Sequence, residues 1–327
     1  MAPSRSIVIE RPLLHTNCTL GEGPLYDPRT SMLHFVDIEQ RKVELCFYLH
    51  DVLDQYHILQ VHHLNTNTLE LKSEQFEHPI TCLALRPNAQ GLACTTSDGF
   101  ALIEPDSTLR YLCKPLPPDH SPYTRFNDGA CDSKGRFVAG TICSRDPSVP
   151  GQLYMFDPAN GSCAVIDQGP FTDSNGLGWN ADESTMYFTD SLVNRIYAYD
   201  YNDGNLSNRR VFVDPISQGQ PEGSFPDGLC IDKEGGIWSA RWGGSKIIRY
   251  SKDGTEDLEL VFPTALNVTA CCFGGPNEDQ LYVTTAHCGA CGGDAARQTQ
   301  HPDSGNLFMV DLSGQFRGGQ WRYSFAI

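Results

Sequence analysis

The chain has 327 residues, 40% hydrophobic and 20% charged, with a formal net charge of −16, an ordinary soluble globular composition with ample apolar material for a core. The acidic balance argues against nucleic acid or an anionic membrane as partner, because both are gripped through basic patches, and it suits a cation site. No apolar run approaches the roughly eighteen residues that a membrane helix needs.

The opening stretch MAPSRSIVIERPLL lacks the apolar core of a secretory leader, so none is expected. Thirteen cysteines, an odd number set mostly inside apolar runs, read as reduced buried thiols, and a cytoplasmic location is expected.

Taken in order, the chain writes one unit six times: a turn, an apolar run, an Asp/Asn/Pro turn, then an apolar-aromatic strand. The copies begin GEGPLYDPRTSMLHFVD, ITCLALRPNAQGLACTT, FNDGACDSKGRFVAGTI, SNGLGWNADESTMYFTD, FPDGLCIDKEGGIWSARW and VTACCFGGPNEDQLYVTTA. The fifth is the clearest, with strands expected over 237–241 and 246–250 either side of Gly243 and Gly244. One register position holds Glu22, Thr81, Asn127, Asn175, Asp227 and, within a residue, Ala270, at separations of 59, 46, 48, 52 and about 43 residues. Short strands repeating at this spacing predict an all-β fold, a six-bladed β-propeller forming one domain over 1–327, closed by a strand near one terminus.

Two stretches interrupt the pattern. Residues 46–60 (CFYLHDVLDQYHILQ) match nothing around them and read either as a short helical excursion or as translated intron sequence. Residues 289–303 read as a polar, glycine-rich surface loop.

A propeller packs its innermost strands around a channel, so equivalent positions at their starts form a ring at one mouth. Glu22, Asn127, Asn175 and Asp227 would meet there as two carboxylates and two amides, an all-oxygen set of the kind hard divalent cations prefer. A plain turn role competes with this, since Asn175-Gly176, Asp227-Gly228 and Asp128-Gly129 are all turn-forming dipeptides. The residues alone leave both readings open. Asp128, one place past the register position, is expected to point away and support its turn.

These segments (LGEGP at 20–24, RFNDG at 125–129, SNGL at 174–177 and FPDG at 225–228) resemble, in order, those of the senescence-marker-protein/gluconolactonase/luciferin-regenerating-enzyme family. The resemblance runs from about Cys18 to Leu312. It implies a six-bladed propeller holding one divalent cation (Ca, Zn, Mn or Mg), with Glu22, Asn175 and Asp227 as metal ligands. It implies Arg125 and Asn127 as substrate-binding residues, with Asn127 also near the metal. The acidic residue the family often sets against sugar hydroxyls has no clear counterpart in the short stretch 144–151, where Asp146 or Arg145 would have to serve.

The implied activity is hydrolysis of a small sugar lactone such as gluconolactone. Metal-activated water would attack the carbonyl, with Asp227 as both ligand and general base. The alternatives are a calcium-binding regulator or interaction scaffold without catalysis, and an esterase or organophosphate hydrolase.

Remaining features carry less. Cys288 and Cys291 have CxxC spacing but no second pair, so no zinc site is expected. His57, His62 and His63 are expected to be exposed or satisfied rather than ligating. Trp179 and Trp238 are expected in the core, and Trp242 to pack in its blade or reach the mouth.

Overall fold

The structure, a computed structural model, describes residues 5–39, 59–87, 91–120, 123–143 and 148–327. Six small sheets form a closed ring, because each innermost strand packs against the innermost strand of the next sheet and the sixth against the first. The six-bladed propeller read from the repeats is the fold. The inner strands are Gly21–Asp27, Ile80–Leu85, Thr124–Cys131, Ser174–Trp179, Phe225–Ile231 and Asn267–Gly274. The fifth blade continues through Ile237–Trp242 and Lys246–Tyr250, within a residue of the expected bounds.

Sheets stacked face to face bury both sides of their inner strands, so these strands read as near-continuous apolar runs. Ser174–Trp179 and Asn267–Gly274 are buried throughout. Aromatic rings fill the spaces between blades. Phe100 of the second blade meets Phe126 and Phe137 of the third edge-on, and Trp238 meets Phe273 at 5.6 Å and 87°, the edge-to-face geometry that ring quadrupoles favour. Trp179 and Trp238 are fully buried, as expected.

The ring is not closed by a terminal strand completing a blade. Arg5–Val8 instead pairs in parallel outside Glu256–Val261 as a fifth strand of the fifth blade. The chain then runs past the sixth blade, where the N–H groups of Leu13 and Leu14 donate to Leu307 O, before entering the first. The C-terminal segment does the corresponding job at the far mouth. Its backbone bonds reach Glu278, Ile231, Trp179, Cys131 and Leu85, on five blades in turn, and Arg322 Nη2 donates to Pro24 O of the remaining one at 2.6 Å.

Of the interrupting stretch 46–60, Leu59 and Gln60 belong to the third strand of the first blade, Leu59–Asn65; residues 46–58 lie outside the described residues. The twelve described cysteines are free thiols. Among the described residues no helix is long and apolar enough to cross a membrane.

Candidate metal centre and active-site cavity

Every inner strand carries a bulge at the same depth, between Glu22 and Leu25, Ile80 and Cys82, Phe126 and Gly129, Ser174 and Leu177, Pro226 and Leu229, and Val268 and Ala270. A bulge inserts an unpaired residue and re-aims its side chain. In this ring it aims Asn127, Asn175 and Asp227 at the channel mouth, with Glu22 just ahead of the first blade's bulge. The turn reading of the Asn-Gly and Asp-Gly pairs is therefore corrected, because these pairs lie inside strands. Their glycines answer to packing. A Cβ on Gly176 would stand 2.3 Å from Leu229 N, and one on Gly228 2.5 Å from Ala270 Cβ, so only glycine lets neighbouring inner strands approach this closely.

The sixth register residue is Thr269, not Ala270. Its Oγ1 donates to Gly21 O at 2.6 Å and meets Thr284 Oγ1 at 2.9 Å, while Thr81 Oγ1 meets Thr95 Oγ1 at 2.8 Å. These two hydroxyls are spent on their own or adjoining strands. The oxygen-rich positions thus come from the first, third, fourth and fifth blades.

Glu22, Arg125, Asn127, Asn175 and Asp227 line one cavity of about 340 Å³, a size suited to a small molecule. Arg125 Nη1 donates to Asn127 Oδ1 at 2.7 Å and to Phe126 O at 2.9 Å. Asn127 Nδ2 donates in turn to Ser174 O at 2.9 Å and Asn175 Oδ1 at 3.2 Å. Asn175 Nδ2 donates to Ser191 Oγ at 2.9 Å, which fixes the amide with its oxygen toward Asn127. Asn127 therefore presents nitrogen, not oxygen, to the ring, and acts on the site by holding Asn175.

The carboxylates are far less supported. The donor to Glu22 is the N–H of Gly23 at 3.1 Å, and among the described residues no side-chain donor reaches Glu22 or Asp227. Burial, then Asp128, pushes Glu22 up to about 8. Burial, then Glu22, Asp173 and Asp128, pushes Asp227 well above the usual carboxylate range. Facing buried carboxylates without side-chain donors are strongly unfavourable when both are charged, and a cation relieves them. The oxygen donors Glu22, Asn175 and Asp227 thus fit a hard divalent cation.

Two acids missed by sequence reasoning belong to this region. Asp128 does not point away. Its charge raises both Glu22 and Asp227, and it also meets Cys82 and the charge of Arg322, while accepting from Gly129 N–H at 2.7 Å. Asp173 lines the cavity and is pushed up to about 6 by burial, with Arg125 pulling it back. Its position just ahead of Asn175 was the available signal. Trp242 reaches the mouth, and so does Cys291, so the 289–303 stretch is more than a surface loop. Residues 145 and 146 lie outside the described residues.

A second cluster lies apart from the mouth. Cys18, Asp37 and His62 are buried, with potential ligand atoms within 4.8 Å of one another. The Asp37 carboxylate accepts from the N–H groups of Leu20 at 2.8 Å, Thr19 at 3.0 Å and Glu39 at 3.4 Å, and His62 Nδ1 meets Ser73 Oγ at 2.8 Å. These bonds give the group a structural occupation at the start of the first blade. Cys288 and Cys291 join no such cluster among the described residues; Cys288 Sγ donates to Ser304 Oγ at 3.4 Å.

Comparison with known proteins places the chain in a family. The chain is 32% identical over 295 residues to regucalcin of Danio rerio, covering 89% of this chain and 90% of that one. It is 30% identical over 305 residues to regucalcin of Homo sapiens, covering 91% and 92%. The crystal structure of a calcium-binding protein, regucalcin, from Agrobacterium tumefaciens superposes with a TM-score of 0.81 at 23% identity, over 99% of this chain and 100% of that one. The model of the SMP-30/Gluconolactonase/LRE-like region matches residues 20–287, and the chain belongs to that family.

Proposed function

We propose that this chain is a divalent-cation-dependent hydrolase that opens lactones, with sugar lactones such as gluconolactone as the reference substrates. The observation that carries the reading is the placement of Glu22, Asn175 and Asp227 in one cavity, with two carboxylates that accept no side-chain hydrogen bond among the described residues. Glu22, Asn175 and Asp227 would hold the cation. When bound, such an ion supplies Lewis acidity toward a carbonyl oxygen and a lowered pKa for water; Ca²⁺, Mg²⁺, Mn²⁺ and Zn²⁺ all suit this chemistry.

The chain's own residues supply the rest. Asp227 accepts the proton of the attacking water as its oxygen bonds to the lactone carbonyl carbon. When the ring C–O bond breaks, the same proton goes to the departing ring oxygen, and the product is an open hydroxy acid. Arg125 spends Nη1 on Phe126 O and Asn127 Oδ1; its remaining N–H groups, which bond to none of the described residues, would grip the ester oxygens of the substrate. Asn127 holds the Asn175 amide in place.

Protein stripped of metal should hydrolyse no lactone, and adding back at least one of the four ions should restore turnover. Full activity in the stripped protein would overturn the reading. Calcium binding without catalysis is the second reading, favoured by the relatives named regucalcin. Tight Ca²⁺ binding with no turnover under any ion would establish it.

A further inference from the structure

The cavity combines its oxygen-bearing residues with a set of large apolar side chains. Around the carboxylates stand Leu20, Ile142, Leu192, Phe225 and Trp242. Leu192 is 57% exposed at the turn between two strands of the fourth blade. Scattered exposed leucines are ordinary; this one lines the cavity together with Phe225 and Trp242 of the next blade.

Most polar atoms near these side chains are already engaged. Thr172 Oγ1 donates to Asp190, Ser191 Oγ takes the Asn175 amide, and Asn127 has both its nitrogen and its oxygen bonded. Among the described lining residues away from the proposed ligands, Asp173, the Ser191 hydroxyl proton and the spare N–H groups of Arg125 remain for a substrate. A sugar lactone carries a hydroxyl on nearly every ring carbon, and each one desolvated against leucine or tryptophan without a partner weakens binding. An alkyl or aryl substituent against the same side chains is favoured by the hydrophobic effect.

We infer that the mouth selects lactones bearing an apolar substituent, the ester group lying against the oxygen-bearing residues and the substituent against Leu192, Phe225 and Trp242. This rests on the lactone-hydrolase reading and narrows it. Among the described lining residues few polar atoms are open to hydroxyls, so the substituent's length matters more than its decoration.

The test uses the full chain loaded with its activating ion and compares glucono-δ-lactone with δ-lactones carrying a methyl or a pentyl group. The pentyl compound should exceed both glucono-δ-lactone and the methyl compound in kcat/KM by at least about tenfold. Leu192→Asp should collapse the pentyl-to-methyl ratio toward one, chiefly through KM. Val193→Asp, at the adjacent exposed residue outside the cavity lining, should leave that ratio within about twofold. Preference for glucono-δ-lactone, equal rates for methyl and pentyl, or an unchanged ratio in Leu192→Asp would overturn the inference while leaving the hydrolase reading standing. Hydrolysis of none of the three lactones under any ion would overturn both.

Discussion

Asp227 and Asp232 lie five residues apart near opposite ends of one inner strand, and their surroundings are opposites. Asp232 accepts from the N–H groups of Glu234 at 2.9 Å and Gly236 at 2.8 Å, from Trp238 Nε1 at 2.8 Å and from Arg249 Nε at 2.7 Å. Asp132 repeats this in the third blade with Lys134 N–H, Arg136 and Tyr201 OH. Among the described residues Asp227 has no side-chain donor, and it lies among the charges of Glu22, Asp173 and Asp128. Residue type does not separate a structural hub from a ligand in this fold. The supply of donors does. Towards the far mouth Asp232 and Asp132 are supplied with donors and the C-terminal segment ties the blades together, whereas at the near mouth Glu22 and Asp227 accept from no side chain among the described residues.

The largest expected effect is on activity. Asp227→Asn should lower lactone hydrolysis by on the order of 10³-fold and abolish any rise in melting temperature on adding the ion, with the circular dichroism spectrum unchanged. Asp232→Asn should leave the specific activity of the folded protein within a few-fold. Comparable loss of activity in both variants would break the distinction between the two ends.

Stability should show the reverse ranking. Asp232→Ala takes from buried Arg249 its one fully buried partner, leaving only the more exposed Glu234 and Asp257, and leaves the Trp238 indole without its acceptor; it should cost about 3–5 kcal/mol in urea unfolding. Asp227→Ala in metal-free protein should cost far less, or even stabilise, because it removes a buried carboxylate that repels its neighbours.

A smaller effect is read in pH. Glu22 rises from an ordinary 4.5 to about 8 through burial and Asp128, and Asp227 is raised as well. The folded metal-free protein therefore holds protons that the unfolded chain releases, and stability falls as pH rises toward 8. His34 and His62, lowered to about 4 chiefly by burial, act oppositely: their contribution is lost as pH falls from 6.5 toward 4. The clean window is pH 6.5 to 8. There the melting temperature of metal-free protein should fall, Glu22→Gln should flatten the slope, and a saturating divalent ion should raise the melting temperature most at pH 8. A melting temperature that climbs across this window would contradict the assignment.

The smallest effect concerns Cys288 and Cys291. Cys288→Ala should leave bound zinc unchanged by elemental analysis, and a stoichiometric loss would reveal a zinc site at the CxxC.

The blades were legible because each copy repeats its turn and apolar run at a nearly constant interval, and the ring of Glu22, Asn127, Asn175 and Asp227 followed from that register. The bulges were not legible. They shift pairing without altering the apolar pattern, which is why Asn175-Gly176 looked like a turn and why Thr269 was read as Ala270. Asp128 was misread because alternation in a regular strand sends the next residue outward, and a bulge breaks that alternation. Asp37 and His62 come together with Cys18 only through pairing across the first blade, beyond an interrupting stretch that hides the spacing. The apolar lining was hidden for a similar reason. Leu192, Phe225 and Trp242 look like core residues until the blades bring them to one mouth.

The most direct measurement is calorimetric titration of stripped protein with Ca²⁺ and Mn²⁺, comparing the native chain with Glu22→Gln and Asp227→Asn. One ion per chain, with binding lost in both variants while the fold persists, is the predicted result. Undiminished binding in both variants would show that the ion, if any, sits elsewhere, and would contradict the central claim that the channel mouth is the metal centre.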